Sequence, residues 1–264
     1  LKEADKTPES LSYMWVRRTG DKYRPIILFD YDPRRTTCAA ESLLPDYMGY
    51  LQTDDYAGYH KIGLRDDVVN LGCMAHARRK FTEAQKAAPS QKGKISKADM
   101  AVQMIKKLYA IETGIKNKST EERYRIRQEK SKPHLQKIRE WLDKALATTL
   151  PKGKAGTAIA YLNKNWEKLT VYIDDGRLNI DNNPVENAIR PFAIGRKNWM
   201  FSNSQQGAKS SALLYSIIET AKANDLEPYA YLCELLTKLP ACECLEDFEA
   251  LLPWNITSKI IASS

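Results

Sequence analysis

Hydrophobic and polar residues change rhythm several times along this chain. Over residues 1–81 the apolar residues come in short runs broken by turn signals, as strands do. Tyr13–Arg18 (YMWVRR) alternates weakly and stops at Thr19-Gly20-Asp21. Pro25–Tyr31 (PIILFDY) is a short continuous apolar run, which predicts a strand buried on both faces. Asp32-Pro33 ends it. Leu43 and Leu44 stand at helical offsets from Ala39 and Ala40, so a helix is expected over 39–47. Gly49–Thr53 is the next strand and delivers Asp54 and Asp55 at its end, and Val68–Leu71 is another. The order βββαβαβ predicts an α/β fold in which helices pack on a mixed sheet.

Residues 82–170 turn helical and heavily charged. Ala101, Ile105, Leu108 and Ile111 share one face, as do Leu135, Ile138, Leu142 and Leu146 further on. STEERYRIRQEKSK between them carries both signs of charge, the pattern of a solvated helix surface. PKGKAGT (151–157) is expected to be a linker, and 172–207 mostly loop around one short helix. Ser211–Asn224 predicts an amphipathic helix burying Leu214, Ile217, Ile218 and Ala221. Pro228–Leu236 and Leu245–Leu252 predict two more.

Composition adds direction. With 264 residues, one large domain or a domain with an insertion is expected. The net charge of +8 fits a polyanionic partner, nucleic acid first, and fits a merely basic surface equally well. The five cysteines form no regular framework, which suits a reducing compartment. Neither a signal peptide nor a membrane-length apolar run is present. The chain starts at Leu1, not Met, which suggests the piece of a longer protein.

Several residues could carry chemistry. Phosphoryl transfer needs hard cations, and hard cations take carboxylate oxygen. A carboxylate at a strand's C-terminal end points into the ligand crevice of an open α/β sheet. Asp54 and Asp55 stand there, though neighbours in a strand face opposite ways and Asp55 also suits a helix N-cap. Asp5, before Lys6, Thr7 and Pro8, reads alone as a loop aspartate. Glu186 follows Asn183 and Pro184, so it is either a metal ligand or the partner in a capping box. IRPFAIGRKNWMFSNSQQG (189–207) sets Arg190, Arg196 and Lys197 among Phe192, Trp199 and Phe201, a mixture suited to phosphates and unpaired bases, or else a basic loop over an aromatic core. GCMAHARRKF (72–81) holds Cys73 and His76, which lack a second ligand pair for zinc and are expected to brace the sheet. Its Arg78-Arg79-Lys80 either contacts a DNA backbone or is an exposed helix start.

Together these motifs resemble the catalytic domain of the insertion-sequence 66 family of DDE transposases. The resemblance rests on Asp5-x-Thr7-Pro8, on Leu51–Asp54, on GCMAHARRKF, on DNNPVENAIRPFAIGRKNWMF (181–201) and on the final LLPWN (251–255). It implies an RNase H-like fold. Residues 1–81 and 171–222 would be the two parts of the core, 82–170 a helical insertion between the second and third acids, and 223–264 a helical C-terminal element. The implied triad is Asp5, Asp54 and Glu186, holding two Mg²⁺ ions for which Mn²⁺ can substitute. Arg78, Arg79, Lys80, Arg190, Arg196, Lys197 and Trp199 would contact DNA. The implied chemistry is strand cleavage at the element's end and attack of the freed 3′-hydroxyl on target DNA, by a homo-oligomer in the bacterial cytoplasm at the nucleoid. Where the family usually carries an acid this chain has Lys6, and where it usually carries glycine this chain has Asp55. A second reading is a non-catalytic nucleic-acid-binding remnant of such an enzyme.

Overall fold

The computed structural model describes residues 11–20, 24–88, 94–199 and 202–256. Asp5, Lys6, Thr7, Pro8 and Phe201, and the side chain of Trp199, lie outside that description. The first elements in chain order are β1 (Tyr13–Arg18), β2 (Ile27–Asp32), α1 (Thr37–Leu43), β3 (Gly49–Gln52) and β4 (Val68–Leu71). Seven helices follow: α2 (Met74–Ala87), α3 (Lys97–Gly114), α4 (Thr120–Ile126), α5 (Lys132–Ala147), α6 (Lys154–Lys164), α7 (Trp166–Thr170) and α8 (Asn183–Trp199). The last are α9 (Gln205–Ala223), α10 (Pro228–Lys238) and α11 (Leu245–Ala250). The class is mixed α/β, dominated by helix, with two small sheets among the described residues. Residues 1–43 and 184–264 form one compact unit, and residues 44–183 form the other.

In the first unit β1 and β2 make an antiparallel hairpin, in register from Tyr13 opposite Asp32 to Arg18 opposite Ile27. Arg17 donates to the Asp30 carboxylate at 2.8 Å and to the Leu43 carbonyl at 2.6 Å. The expectation that both faces of β2 are buried fails: Ile27 and Phe29 are buried, but Leu28 between them is 40 % exposed. A hairpin strand alternates its side chains, and only one face here meets apolar partners: Ala188 and Phe192 of α8 with Ala212 and Tyr215 of α9.

Helix α8 occupies much of the segment expected to be loop and takes Pro191 into its interior. Proline forfeits one hydrogen bond there. Packing of Ala188, Ile189 and Phe192 into the core offsets that loss. Helix α9 also departs from its hydrophobic pattern. It buries Ala208, Ala212, Ser216 and Thr220, at four-residue spacing, and leaves Leu214 50 % exposed. The reason lies in β2, whose Phe29 N–H donates to Ser216 Oγ at 2.8 Å and whose Ile27 N–H donates to Thr220 Oγ1 at 3.0 Å. Thr220 returns a bond to the Ile27 carbonyl at 2.9 Å. Among the described residues no strand pairs with this edge of β2, and helix hydroxyls satisfy its polar groups. After α9 the chain turns at Asp225, φ +60°. There Leu226 N–H bonds the Ala221 carbonyl and Asp225 N–H that of Lys222, a Schellman ending. Ala221, Leu226 and Tyr231 then form a small core of their own.

The second unit is built around a large hydrophobic core. Met74, Ala77 and Phe81 of α2 pack with Ile105 and Leu108 of α3, Leu135, Ile138 and Leu142 of α5, and Ile159 and Leu162 of α6. The expected faces of α3 and α5 are the buried ones, except that Ile111 is only half-buried and that Ala145 is inside and Leu146 outside. Strands β3 and β4 pair in parallel, Gly49 opposite Val68 through Gln52 opposite Leu71. Helix continues from α4 into α5 through a π-helical turn at Arg127–Ser131. Pro133 follows that turn, and widening it spares the clash that proline makes with the carbonyl four residues back.

Arg127, in that turn, is fully buried. All five of its N–H donors are used: two on Glu112 of α3 and the others on the carbonyls of Tyr172, Asp175 and Leu178. The guanidinium also lies 5.2 Å from the centre of the Tyr172 ring. Thus one side chain ties α3 and the π-turn to the loop that leads into α8. Removing one member of a buried, hydrogen-bonded ion pair costs about 3–5 kcal/mol. Arg127→Ala should therefore lower the melting temperature by roughly 10 °C, by calorimetry; a shift within about 2 °C would show that the network contributes little. Thr220→Val, which keeps shape and loses the hydroxyl, should cost about 1–3 kcal/mol in urea unfolding by orphaning both Ile27 groups.

Candidate active site

The parallel pair β3–β4 places the first candidate. The ladder extends one bond past β3, with Thr53 N–H on the Leu71 carbonyl at 3.1 Å. Asp54 is the next residue, so its side chain emerges where pairing stops. It is exposed, and its Oδ1 accepts the Tyr56 N–H at 3.1 Å. That Asx bond bends the chain into the 3₁₀ turn Ala57–Tyr59.

Asp55 makes the reversal. Its φ is +67°, a left-handed conformation that costs non-glycine residues energy and that Asp tolerates better than most. Its carboxylate turns inward, with only 16 % of the side chain exposed. Asn165 Nδ2 donates to Oδ2 at 3.3 Å, while His60 Nε2 and Lys168 Nζ stand 3.3 and 3.7 Å from Oδ1. Tyr161 belongs to the same group: its hydroxyl pKa is pushed up to about 12 by burial first, then by the negative charge of Asp55, Cys73 and Asp54. The Lys80 ammonium sits 4.7 Å from the centre of the Tyr161 ring.

The exit of β4 is fixed just as closely. Gly72 N–H donates to the Lys168 carbonyl at 2.9 Å, and a Cβ on Gly72 would come within 3.0 Å of Leu169 Cδ2. Gln52 Nε2 bridges the carbonyls of Gly72 and Asn179. Cys73 is buried, its Sγ accepts the Asn182 N–H at 3.3 Å, and burial pushes its thiol pKa up. A thiol so placed is a brace and not a nucleophile. Asp181 is also buried and takes the Tyr109 hydroxyl at 2.8 Å, the Asn183 N–H at 3.1 Å and the Asn183 amide at 2.8 Å. It therefore ties Asn183 to Tyr109 of α3. Burial first and then Asp181 raise the Tyr109 pKa.

Of the expected DNA-contacting triplet, Arg78 lies 5.7 Å from the Tyr109 ring centre and Lys80 covers Tyr161, while Arg79 is exposed. On α8, Glu186 is in the first turn and partly buried. Helical geometry sets Arg190 and Lys197 on the face of Glu186, opposite Ala188 and Phe192. Arg190, Arg196 and Lys197 are exposed. Phe192 instead turns inward, 5.2 Å from the Tyr215 ring.

The structure thus gathers Asp54, Asp55, Tyr161, Asn165 and Lys168 in one unit, and Glu186, Arg190 and Lys197 along one helix face in the other. Asp5 lies outside the described residues. His60, Asn165 and Lys168 had no signal in the sequence as partners of Asp55, for Asn165 is 110 positions away. Asp181 did have one: an Asp two residues before Asn183 is placed to hold a helix's first N–H groups.

Comparison with known proteins supplies the rest. No helix among the described residues is long and apolar enough to cross a membrane. No solved structure matches the chain. Three curated proteins of Sinorhizobium fredii (strain NBRC 101917 / NGR234) are similar to it. The uncharacterized protein y4hP is 38 % identical over 80 % of this chain and 40 % of its own length. The uncharacterized protein y4qI is 32 % identical over 95 % and 48 %, and the uncharacterized protein y4jD is 31 % identical over 92 % and 49 %. The chain spans about half or less of the length of these relatives. A family model described as "Transposase IS66 family" matches residues 1–210, and one described as "IS66 C-terminal element" matches residues 216–254. The chain belongs to the IS66 transposase family.

Proposed function

We propose that this chain is the catalytic part of a DDE transposase with an RNase H-like core, cutting and joining DNA strands with Asp5, Asp54 and Glu186 as its metal-holding acids. The observation that carries this reading is Asp54. It is an exposed carboxylate at the C-terminal end of a parallel strand pair, with a single backbone donor on one oxygen, in a chain of this family. An open, oxygen-only group of this kind fits a hard divalent ion such as Mg²⁺ or Mn²⁺. Two bound ions would supply Lewis acidity to the attacking and leaving oxygens of an in-line displacement at phosphorus.

The protein's own residues do the rest. Asp54 holds its carboxylate outward because Tyr56 N–H fixes one oxygen. Arg190 and Lys197 present positive charge on the Glu186 face of α8, where they would steer a phosphate backbone towards that acid. Arg196 and Arg79, both exposed, add to the attraction. Residues 82–170 read as a helical insertion, and residues 223–264 as a C-terminal element. Substrates in this reading are the element's ends and target DNA, and the working form is a homo-oligomer of a longer protein in the cytoplasm at the nucleoid. Relatives of about twice this length suit such a division.

In Mg²⁺ or Mn²⁺ the chain should nick duplex DNA, and Asp54→Ala should cut the rate by more than about 100-fold, since disturbing only the support of a metal ligand already costs 10–100-fold. Its DNA affinity should hardly change. Equal nicking by the variant would remove Asp54 from the triad, whereas metal-independent binding without nicking would favour the non-catalytic remnant. Arg190→Ala with Lys197→Ala should weaken binding to all sequences alike and flatten the salt dependence by about 0.9 in log–log slope per lost phosphate contact. An unchanged slope would take α8 out of the DNA path.

A further inference from the structure

The turn after β3 is held from outside. Asp55 sits at φ +67°, and a strained backbone persists only where its surroundings over-determine it. Its surroundings are three side chains from beyond the turn's own residues or at its far end: His60, Asn165 at the junction of α6 and α7, and Lys168 within α7. Asn165 is itself buried, its Nδ2 shared between Asp55 Oδ2 and the Tyr161 carbonyl at 3.2 Å. Lys168 contributes twice, since its carbonyl also receives the Gly72 N–H at the exit of β4. The same short stretch of helix therefore grips both strand ends.

We propose that Asp55 is a positioning residue: tethered by Asn165, Lys168 and His60, it fixes the turn that aims the Asp54 carboxylate. A glycine would adopt this φ at no cost but would leave the turn free. The aspartate of this chain gives up backbone ease and gains a tether to α6 and α7, which makes the helical region part of the cation site's support. The role rests on the reading of Asp54 as a metal ligand. Supporting residues of this kind hold a ligand's orientation, and their loss typically weakens metal affinity 10–100-fold.

Mn²⁺ binding, followed through the loss of the free-ion EPR signal, tests it without relying on turnover. Asp55→Ala and Asn165→Ala should each weaken binding by about 10-fold. Asp55→Asn, which tolerates the same φ and can still accept from Asn165, should recover most of the affinity. Asp55→Gly relieves the backbone, so it should melt no lower than the unsubstituted chain while still binding Mn²⁺ less tightly. Wild-type affinity in both Asp55→Ala and Asp55→Gly would overturn the positioning role. An Asp55→Asn chain as weak as Asp55→Ala would also overturn it, since the charge and not the tether would then matter. Unaltered Mn²⁺ affinity in Asp54→Ala is a different failure: it would sink the cation-site reading itself.

Discussion

The parallel ladder between β3 and β4 is the constraint on which the candidate site depends. Parallel strands cannot be joined by a tight hairpin, so each must run out into a longer connection. Their ends are where backbone groups would otherwise go unpaired. At β3 the ladder's last bond is Thr53 to Leu71. Beyond it, side chains take over the backbone's needs: Asp54 receives Tyr56 N–H, and Thr53 Oγ1 receives Asp55 N–H at 3.4 Å. At β4, Gly72 and Met74 give their N–H groups to the Lys168 and Ile180 carbonyls. The acid is exposed because everything around it is committed.

Much of this was legible in the sequence, and the parts that were share a cause. Strand β1 falls where its alternation predicted, and β3 and β4 where Gly49–Gln52 and Val68–Leu71 carry apolar residues between turn signals. The faces of α3 and α5 follow from 3.6-residue spacing, which senses burial directly. Two of the failures involve polar duties that hydrophobicity does not measure. Helix α9 turns Ser216 and Thr220 inward and Leu214 outward because β2 needed hydrogen-bond partners more than further apolar contact. Arg127 looked like one charge among many in STEERYRIRQEKSK, yet it is the most demanding buried side chain of its unit.

The candidate site divides in the same way. Asp54 stood out because a strand signal ends on it, and Glu186 because a helix-start signal precedes it. Most of the group holding Asp55 could not be seen, since Asn165 and Lys168 meet it only after α6 and α7 have packed. Asp55 itself looked like an N-cap. Its positive φ, a conformation glycine adopts more easily, gives it another task.

Net charge needs similar care. The surplus of +8 suggested a polyanionic partner, but a cation already engaged inside the fold has little left for a phosphate. Arg127 is fully used by Glu112 and three carbonyls, Lys168 is held by Asp55, and Arg78 and Lys80 lie against tyrosine rings. Arg190, Arg196 and Lys197 are different, exposed along one helix and without an ion pair among the described residues. Three cations on one helix attract a phosphate backbone more strongly than the same charges scattered, because each contact releases counterions along the same short stretch of nucleic acid. What distinguishes a nucleic-acid surface from an ordinary basic one is therefore placement: on α8 the uncommitted cations share a helix with Glu186, the acid proposed as a metal ligand.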